Sequence, residues 1–386
     1  LTSNEYFQLM KGRVNVLEGT NVRGYSIIQG NNKPNPYCMQ ASLNGKVVRA
    51  TYNISNSANK QRWLILTAEE ATLFENKARD AYVADLENYL QQIEKLVTVP
   101  HTEEIPGTDQ TLAQQLSDIR TQATATQNAS EVNTLIKQAR SAGHTFLCNV
   151  TAKSLEQPFD LTFMMQNADL NATDGWSGQP TLNYGCAEYY QQTFDFYQTL
   201  TDLPKGTYRL AAQAFQRPGS ASEAYTAYLS DAEKNITTYL YANSESVKVK
   251  NICAEAQSNK AGVGSESAVG SSWVPNDMQS AATYFSNHLY NNQVTTLPVE
   301  DGGSLRLGIR CTSQGNSFWS IFDNFRLYFY GQQYAALAHI NHQKTMLPTG
   351  KFNVYAIDGH LVRRQATSLD GLPSGIYIVN GKKYVR

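Results

Sequence analysis

The sequence predicts a multidomain chain, mainly β with an α-helical bundle, whose largest domain is a β-sandwich. Three observations carry that expectation. Residues 67 to about 145 repeat apolar side chains at helical spacing. The stretches on either side read as short alternating runs broken by Gly, Pro, Asn and Asp. Within them, Phe-Trp-Ser-Ile-Phe-Asp-Asn-Phe-Arg-Leu-Tyr-Phe-Tyr at 318–330 has the pattern of a strand inside a half-buried antiparallel sheet. The expected units are a small β unit at 1–66, a three-helix spacer at 67–149, the sandwich at 150–331, a linker at 332–345 and a small C-terminal β domain at 346–386.

Composition narrows the function. The 386 residues are 41% hydrophobic and 17% charged, with 23 Tyr. Low charge with many Tyr, Thr, Asn and Gln suits β-rich extracellular proteins. A net charge of −1 and the lack of a basic run remove the attraction that drives phosphate-backbone binding, so nucleic acid is not an expected partner. No apolar run approaches the ~18 residues of a membrane span. The chain opens on Leu1 rather than Met, which fits a leader already removed. Five cysteines, Cys38, Cys148, Cys186, Cys253 and Cys311, form no CxxC motif, and their odd number leaves at least one free thiol. A disulfide among Cys186, Cys253 and Cys311 is one reading, packed free thiols the other.

In the first unit, Met39–Leu43 and Lys46–Tyr52 read as strands around Asn44-Gly45, a hairpin signal. Gln61-Arg62-Trp63 resembles the Gln-x-Trp signature of ricin-type β-trefoil lectins, which makes the unit a possible trefoil remnant. Thr67 and Glu70 then form a capping box. Ala71, Phe74, Ala78, Tyr82, Leu86, Tyr89, Ile93 and Val97 follow at helical spacing, and Val99-Pro100 ends the run. Thr108 and Asp109 start a second helix, and Asn128 or Ser130 a third. Three amphipathic helices with short links bury their stripes most simply against one another. They resemble helical spacer modules of bacterial surface proteins.

In the large unit, Leu203-Pro204-Lys205-Gly206-Thr207-Tyr208 is a turn entering a strand, Thr237–Leu240 is another strand, and Leu305, Leu307, Ile309 and Cys311 share one face of a third. Residues 254–272, rich in Gly, Ser and Ala, are expected as an exposed loop. Alternation from 318 places Ile321, Phe325, Leu327 and Phe329 on one face with Asp323 among them, and Arg326, Tyr328 and Tyr330 on the other. A carboxylate in an apolar row needs N–H donors, a cation or a metal ion. The plain reading is that Asp323 ties down a loop; the sharper one is bound calcium.

The strings QNADLNATDGW, LPKGTYRLAAQAFQRPG and WSIFDNFRLYFYG, in that order, resemble a galactose-binding-like jelly roll, the fold of carbohydrate-binding modules in secreted bacterial proteins. The resemblance implies a β-sandwich that binds a glycan or polysaccharide. It also implies a structural calcium between the first loop and the last strand, for which the matching positions are Asp169 and Asp323. Sugar recognition needs an aromatic plate and a few fixed polar groups. Tyr184, Tyr189, Tyr190, Phe215, Arg217 and Trp273 are the candidate ligand-binding residues, in or beside loops. Trp176 is a further aromatic there, expected to close the core. Tyr189 and Tyr190 are adjacent, so in a strand only one points inward. Arg217 either offers paired hydrogen bonds to a ligand or pins a loop through a carboxylate.

His339 and His342, in the linker, lack a third metal ligand nearby and read as a solvated turn. The closing strings VYAIDGHLV and LPSGIYIVNGKKYVR resemble the C-terminal sorting-type domain of secreted Bacteroidetes proteins, which implies an extracellular or outer-membrane surface location. No HExxH, phosphate loop or nucleophile elbow is present, and Glu266 stands where an elbow would place its serine. The leading expectation is a non-catalytic carbohydrate-binding protein. A polysaccharide-acting glycoside hydrolase, or a protein associated with one, is the runner-up, and a protein-binding adhesin the third reading.

Overall fold

In the computed structural model of the chain, the structure describes residues 66–332, 350–356, 359–369, 372 and 377–380, together with strand backbone within 7–64 and at 376 and 382–385. The His339 and His342 expectation lies outside the described residues. The fold mixes antiparallel sheets with helices. It divides into two compact units, residues 1–89 with 117–139 and residues 90–116 with 140–386, a division that passes through the helices.

The first unit opens with β1 (Phe7–Asn15), β2 (Arg23–Gln29), β3 (Tyr37–Ala41), β4 (Val47–Thr51) and β5 (Trp63–Leu64), in sheet order β1-β2-β3-β4 with β5 on β2. β3 and β4, on either side of the predicted Asn44-Gly45 turn, pair antiparallel, and the turn itself lies outside the described residues. Helix α1 (Ala68–Val97) begins on the predicted capping box: the Glu70 N–H donates to Thr67 Oγ1 at 3.1 Å, and the Thr67 N–H donates to Glu70 Oε2 at 2.9 Å. In this unit Arg120 forks onto Glu87 at 3.1 and 3.0 Å, and Leu86, Ile119, Val132 and Leu135 are buried.

The second unit holds β6 (His101–Glu103) and the bodies of helices α2 (Thr108–Ala125) and α3 (Ala129–Cys148) that fall within its bounds. The Glu103 carboxylate accepts the N–H groups of Gly107 and Asp109 at the start of α2, and these donors hold its pKa below the ordinary value. The predicted starts of α2 and α3 match: α2 begins at Thr108, and Asn128 caps α3 by accepting the Ser130 N–H at 2.8 Å. β7 (Val150–Ala152) pairs with β6.

Next come β8 (Phe159–Asp160), β9 (Thr181–Asn183), β10 (Cys186–Tyr190), β11 (Phe194–Leu203), β12 (Tyr208–Arg217), helix α4 (Ala221–Ser230), β13 (Thr238–Ala242), β14 (Glu245–Lys248), β15 (Lys250–Asn251), the hairpin β16 (Glu266–Val269) with β17 (Ser272–Pro275), helix α5 (Met278–Ser286), β18 (Asn291–Thr295), β19 (Gly303–Cys311) and β20 (Trp319–Phe329). One sheet runs β15-β12-β20-β10-β9, with β18 on β12 and β8 on β20; the other runs β11-β19-β13-β14. They meet through aromatic rings. Tyr189 stacks on Phe194 at 4.1 Å, Trp176 on Phe196 at 4.6 Å, and Phe322 lies 5.4 Å from Phe196. The buried row Leu305, Leu307, Ile309 and Cys311 on β19 agrees with its alternation.

The alternation expected along β20 does not hold throughout. Gln213 faces Asp323 and Ala211 faces Arg326, so three steps on β20 match two on β12. The extra residue is a β-bulge, with Asn324 at a left-handed φ of 53°. It exchanges the faces. Trp319 and Ile321 pack in a cluster with Phe215, Tyr284 and Phe285 from β12 and α5. Phe322 and Phe325 turn the other way and touch each other at 6.1 Å. Asp323 therefore leaves the row of Phe325, Leu327 and Phe329.

Two further departures share a cause. Residues 254–272 are not one exposed loop: β16 and β17 pair, and Val269 is buried. Helices α4 and α5 were also unanticipated. All three cover the sheet face that carries Phe215 and Ile321, so this sheet is buried on both faces rather than one. The four described cysteines, Cys148, Cys186, Cys253 and Cys311, are free thiols.

At the C-terminal end, β21 (Phe352–Ala356), β22 (Leu361–Ala366), β23 (Ile376–Val379) and β24 (Lys382–Val385) form an antiparallel sheet in the order β22-β21-β23-β24. Phe352, Val354, Tyr377 and Val379 pack in its core, as period-two spacing requires. Among the described residues no helix is long and apolar enough to cross a membrane.

Candidate functional site

The site is built on the face of the larger sheet that also carries α5. β9 and β10 join through Tyr184-Gly185, both at positive φ (51° and 74°), the geometry of a two-residue hairpin turn. A bulky Tyr is uncommon in that region. Here it puts the ring at the hairpin tip, 54% exposed. Along β10, Cys186, Glu188 and Tyr190 share one face and Ala187 and Tyr189 the other. Tyr190 is 47% exposed and Tyr189 only 8%.

Tyr184, Glu188 and Tyr190 line an open pocket of about 490 Å³ with Asn183, Arg217, Trp319 and the residues Asn276, Asp277, Met278 and Gln279 at the start of α5. Its floor is tied together. Trp319 Nε1 donates to Glu188 Oε2 at 2.6 Å. Arg217 lies over the Trp319 ring at 5.2 Å, donates from Nε to Gly219 O at 3.1 Å, and donates to Asn276 Oδ1 at 2.7 Å. Arg217 thus pins a loop through a carbonyl and an amide oxygen, where a carboxylate was expected.

Two carboxyls in the pocket are shifted in opposite directions. Burial raises Glu188 above its ordinary pKa, against the pull of the Trp319 N–H and the Arg217 charge. Burial also acts to raise Asp277, but hydrogen bonds from Ser280 and Ser265 outweigh it and leave that carboxyl lowered. Asp277 caps α5: Oδ1 accepts the Ser280 N–H at 2.8 Å and Oδ2 the Ser265 N–H at 2.7 Å.

Of the predicted ligand-binding residues, Tyr184, Tyr190 and Arg217 meet at this pocket. The other three do not. Tyr189 is a core residue whose hydroxyl accepts the Gln179 N–H at 3.0 Å. Phe215 is fully buried, 4.6 Å from Tyr290 and 5.3 Å from Trp319, because helix α5 covers its face of the sheet. Trp273, half-buried on β17, carries Lys260 Nζ 4.0 Å over its ring and lies outside the pocket lining. Trp176 closes the core, its Nε1 donating to Gln166 O at 2.8 Å. Sequence reasoning missed Glu188 and Trp319. The alternation of Cys186, Glu188 and Tyr190 was the available signal for the first, and the run into β20 for the second.

The pair expected to hold calcium is arranged differently. Asp169 Oδ1 is 2.6 Å from Arg326, and Asp323 accepts the N–H of Asn324 at 2.6 Å. Burial, with the Asp169 charge adding to it, pushes Asp323 up to about 7, against the Asn324 N–H and the Arg326 charge. The nearby carbonyl of Ala168 is taken by the Phe325 N–H. Calcium takes about six to eight oxygens. Asp169 and Asp323 would supply part of such a set, and Asp169 is paired here with the Arg326 guanidinium.

Comparison with family models, with curated proteins and with solved structures found no match to this chain.

Proposed function

We propose that the chain is a secreted or cell-surface, non-catalytic carbohydrate-binding protein. In this reading residues 150–331 are a galactose-binding-like jelly roll and the three helices a bundled spacer. One observation carries it: two exposed tyrosine rings, Tyr184 and Tyr190, border an open pocket whose remaining lining, apart from Trp319 and Met278, is polar. Flat rings accept the C–H face of a sugar. The Glu188 carboxylate, the Asn183 amide and the Asn276–Gln279 rim supply polar groups for hydroxyls. The left-handed Tyr184 supports the same reading, since unfavourable backbone geometry is retained where it positions a working side chain.

The test is a glycan array with the purified chain, followed by calorimetry on the saccharides retained. Tyr184→Ala and Tyr190→Ala are expected to weaken binding about tenfold each, taking roughly 60 Å² of covered ring at ~25 cal/mol/Å². Retention of no saccharide, or binding by both variants at the parent's affinity, overturns the proposal.

A second reading is favoured by the opposed shifts of Glu188 and Asp277, because a raised and a lowered carboxyl in one cleft is the pairing glycoside hydrolysis uses. It ranks second because both oxygens of Asp277 are already engaged by N–H donors of its own helix cap and the neighbouring loop. Release of reducing ends from polysaccharide, abolished by Glu188→Gln, would favour hydrolysis over binding alone.

A further inference from the structure

Away from the pocket, the end of α3 and the β18–β19 connection bring three metal-ligating side chains together. His144 and Cys148 stand four residues apart on α3 and project from one face. Asp301 lies in the turn before β19. His144 Nε2 is 2.7 Å from Asp301 Oδ1, and Cys148 Sγ is 3.2 Å from the same oxygen. The three donor atoms all lie within 4.8 Å of one another. We propose that His144, Cys148 and Asp301 form a zinc-binding site.

A second contact points the same way. His144 Nδ1 is 3.1 Å from the backbone carbonyl of Asp202. A carbonyl only accepts, so Nδ1 carries the proton at that contact. In the neutral ring, Nε2 then turns a lone pair toward a carboxylate oxygen. Two acceptors do not hold each other at 2.7 Å, so a cation belongs there, either a proton or a metal ion. The thiol beside them favours the metal, because imidazole, thiolate and carboxylate together suit zinc and not calcium or magnesium. A carbonyl on the far nitrogen is also the usual means of orienting a metal-bound imidazole.

The spacing fits. Zinc bonds of about 2.0–2.3 Å place tetrahedral donors roughly 3.3–3.7 Å apart. The Nε2–Oδ1 pair must open by about half an ångström, and Asp301, exposed on a turn, can move that far. Three protein donors leave a fourth position for water. The ion would tie the end of α3 to the β18–β19 connection, both within residues 140–386.

The full chain, stripped with a chelator and dialysed, is titrated with zinc by calorimetry and with cobalt by absorption. One high-affinity zinc per chain is expected, with a higher melting temperature. Cobalt is expected to give tetrahedral visible bands and a thiolate charge-transfer band that Cys148→Ser removes. Asp301→Asn, at an exposed position, should keep the wild-type circular dichroism and lose at least ~10-fold in zinc affinity. A charge-transfer band persisting in Cys148→Ser, wild-type zinc affinity in Asp301→Asn, or no zinc uptake overturns the proposal.

Discussion

Tyr189 and Tyr190 are neighbours of one residue type, and the structure gives them opposite fates. Tyr189 packs between sheets, its ring 4.1 Å from Phe194 and 6.3 Å from Phe322. Its removal leaves a ring-sized void, and aromatic-to-Ala changes of this kind cost about 3–5 kcal/mol. At roughly 2–4 °C per kcal/mol for a unit of this size, Tyr189→Ala should lower the melting temperature by about 10 °C. Tyr189→Phe keeps the ring and loses only the bond from the Gln179 N–H, which is worth about 1 kcal/mol. Tyr190→Ala deletes a half-exposed ring and should stay within about 0.5 kcal/mol of the parent. The assay is thermal and urea denaturation of the three variants beside the parent. Equal losses for Tyr189→Ala and Tyr190→Ala would refute the assignment of inward and outward faces along β10, and with it the pocket.

Asp323→Asn tests the bulge. The folded carboxyl, pushed up to about 7 from 3.8, holds its proton more tightly than the unfolded one. Stability should therefore be highest below about pH 4, fall as pH rises toward about 7, and level off above. Asp323→Asn should flatten that slope and be the more stable form at pH 8; denaturation midpoints from pH 4 to 8 measure it, and an unchanged slope refutes the assignment. Arg217→Ala should cost about 1–2 kcal/mol, because the loop contacts to Gly219 and Asn276 are lost together with any ligand contact; a melting curve identical to the parent would contradict the pinning. Millimolar calcium added to chelator-treated protein should leave the melting temperature unchanged, and a clear rise would restore Asp169 and Asp323 as calcium ligands.

Local signals were legible where the chain obeys its own period. The Thr67–Glu70 box, the Asn128 cap, the strand pair around Asn44-Gly45 and the β19 row depend on neighbours three residues away or fewer, and each has its counterpart in the structure. The pocket was half legible for the same reason. Tyr184, Tyr190 and Arg217 end strands or turns, where exposure is the default, whereas Phe215 and Tyr189 looked the same until distant elements covered them. Helix α5 that buries Phe215 did leave a trace. Asp277-x-x-Ser280 is a cap pair, as Ser220-x-x-Glu223 is for α4, and both boxes form. Short helices of about ten residues, set in a β-rich stretch, carry too few apolar repeats for periodicity alone to reveal them.

The bulge in β20 shows why the remaining part was hidden. Strict alternation assigns Ile321 and Phe325 to one face, and one extra residue between them is enough to separate them. Nothing in Asp323-Asn324 forces the break except that Asn accepts a left-handed φ more readily than most residues. Its consequence reaches both faces of the sheet. With the extra residue, Phe322 and Phe325 both point between the sheets, while Trp319 remains on the side of α5, where its indole N–H meets Glu188. Were every residue kept in strict alternation, either the aromatic contact between sheets or the pocket floor would be lost. Deleting Asn324 removes the extra residue and leaves Phe322, Phe325 and Leu327 in regular alternation on the face they already hold, with the register to β12 kept, so the variant should fold and lose mainly the Asn324 bond to Gln213. A deletion that fails to fold, or that loses the parent's near-ultraviolet circular dichroism, would mean that the two faces of β20 are not divided as described.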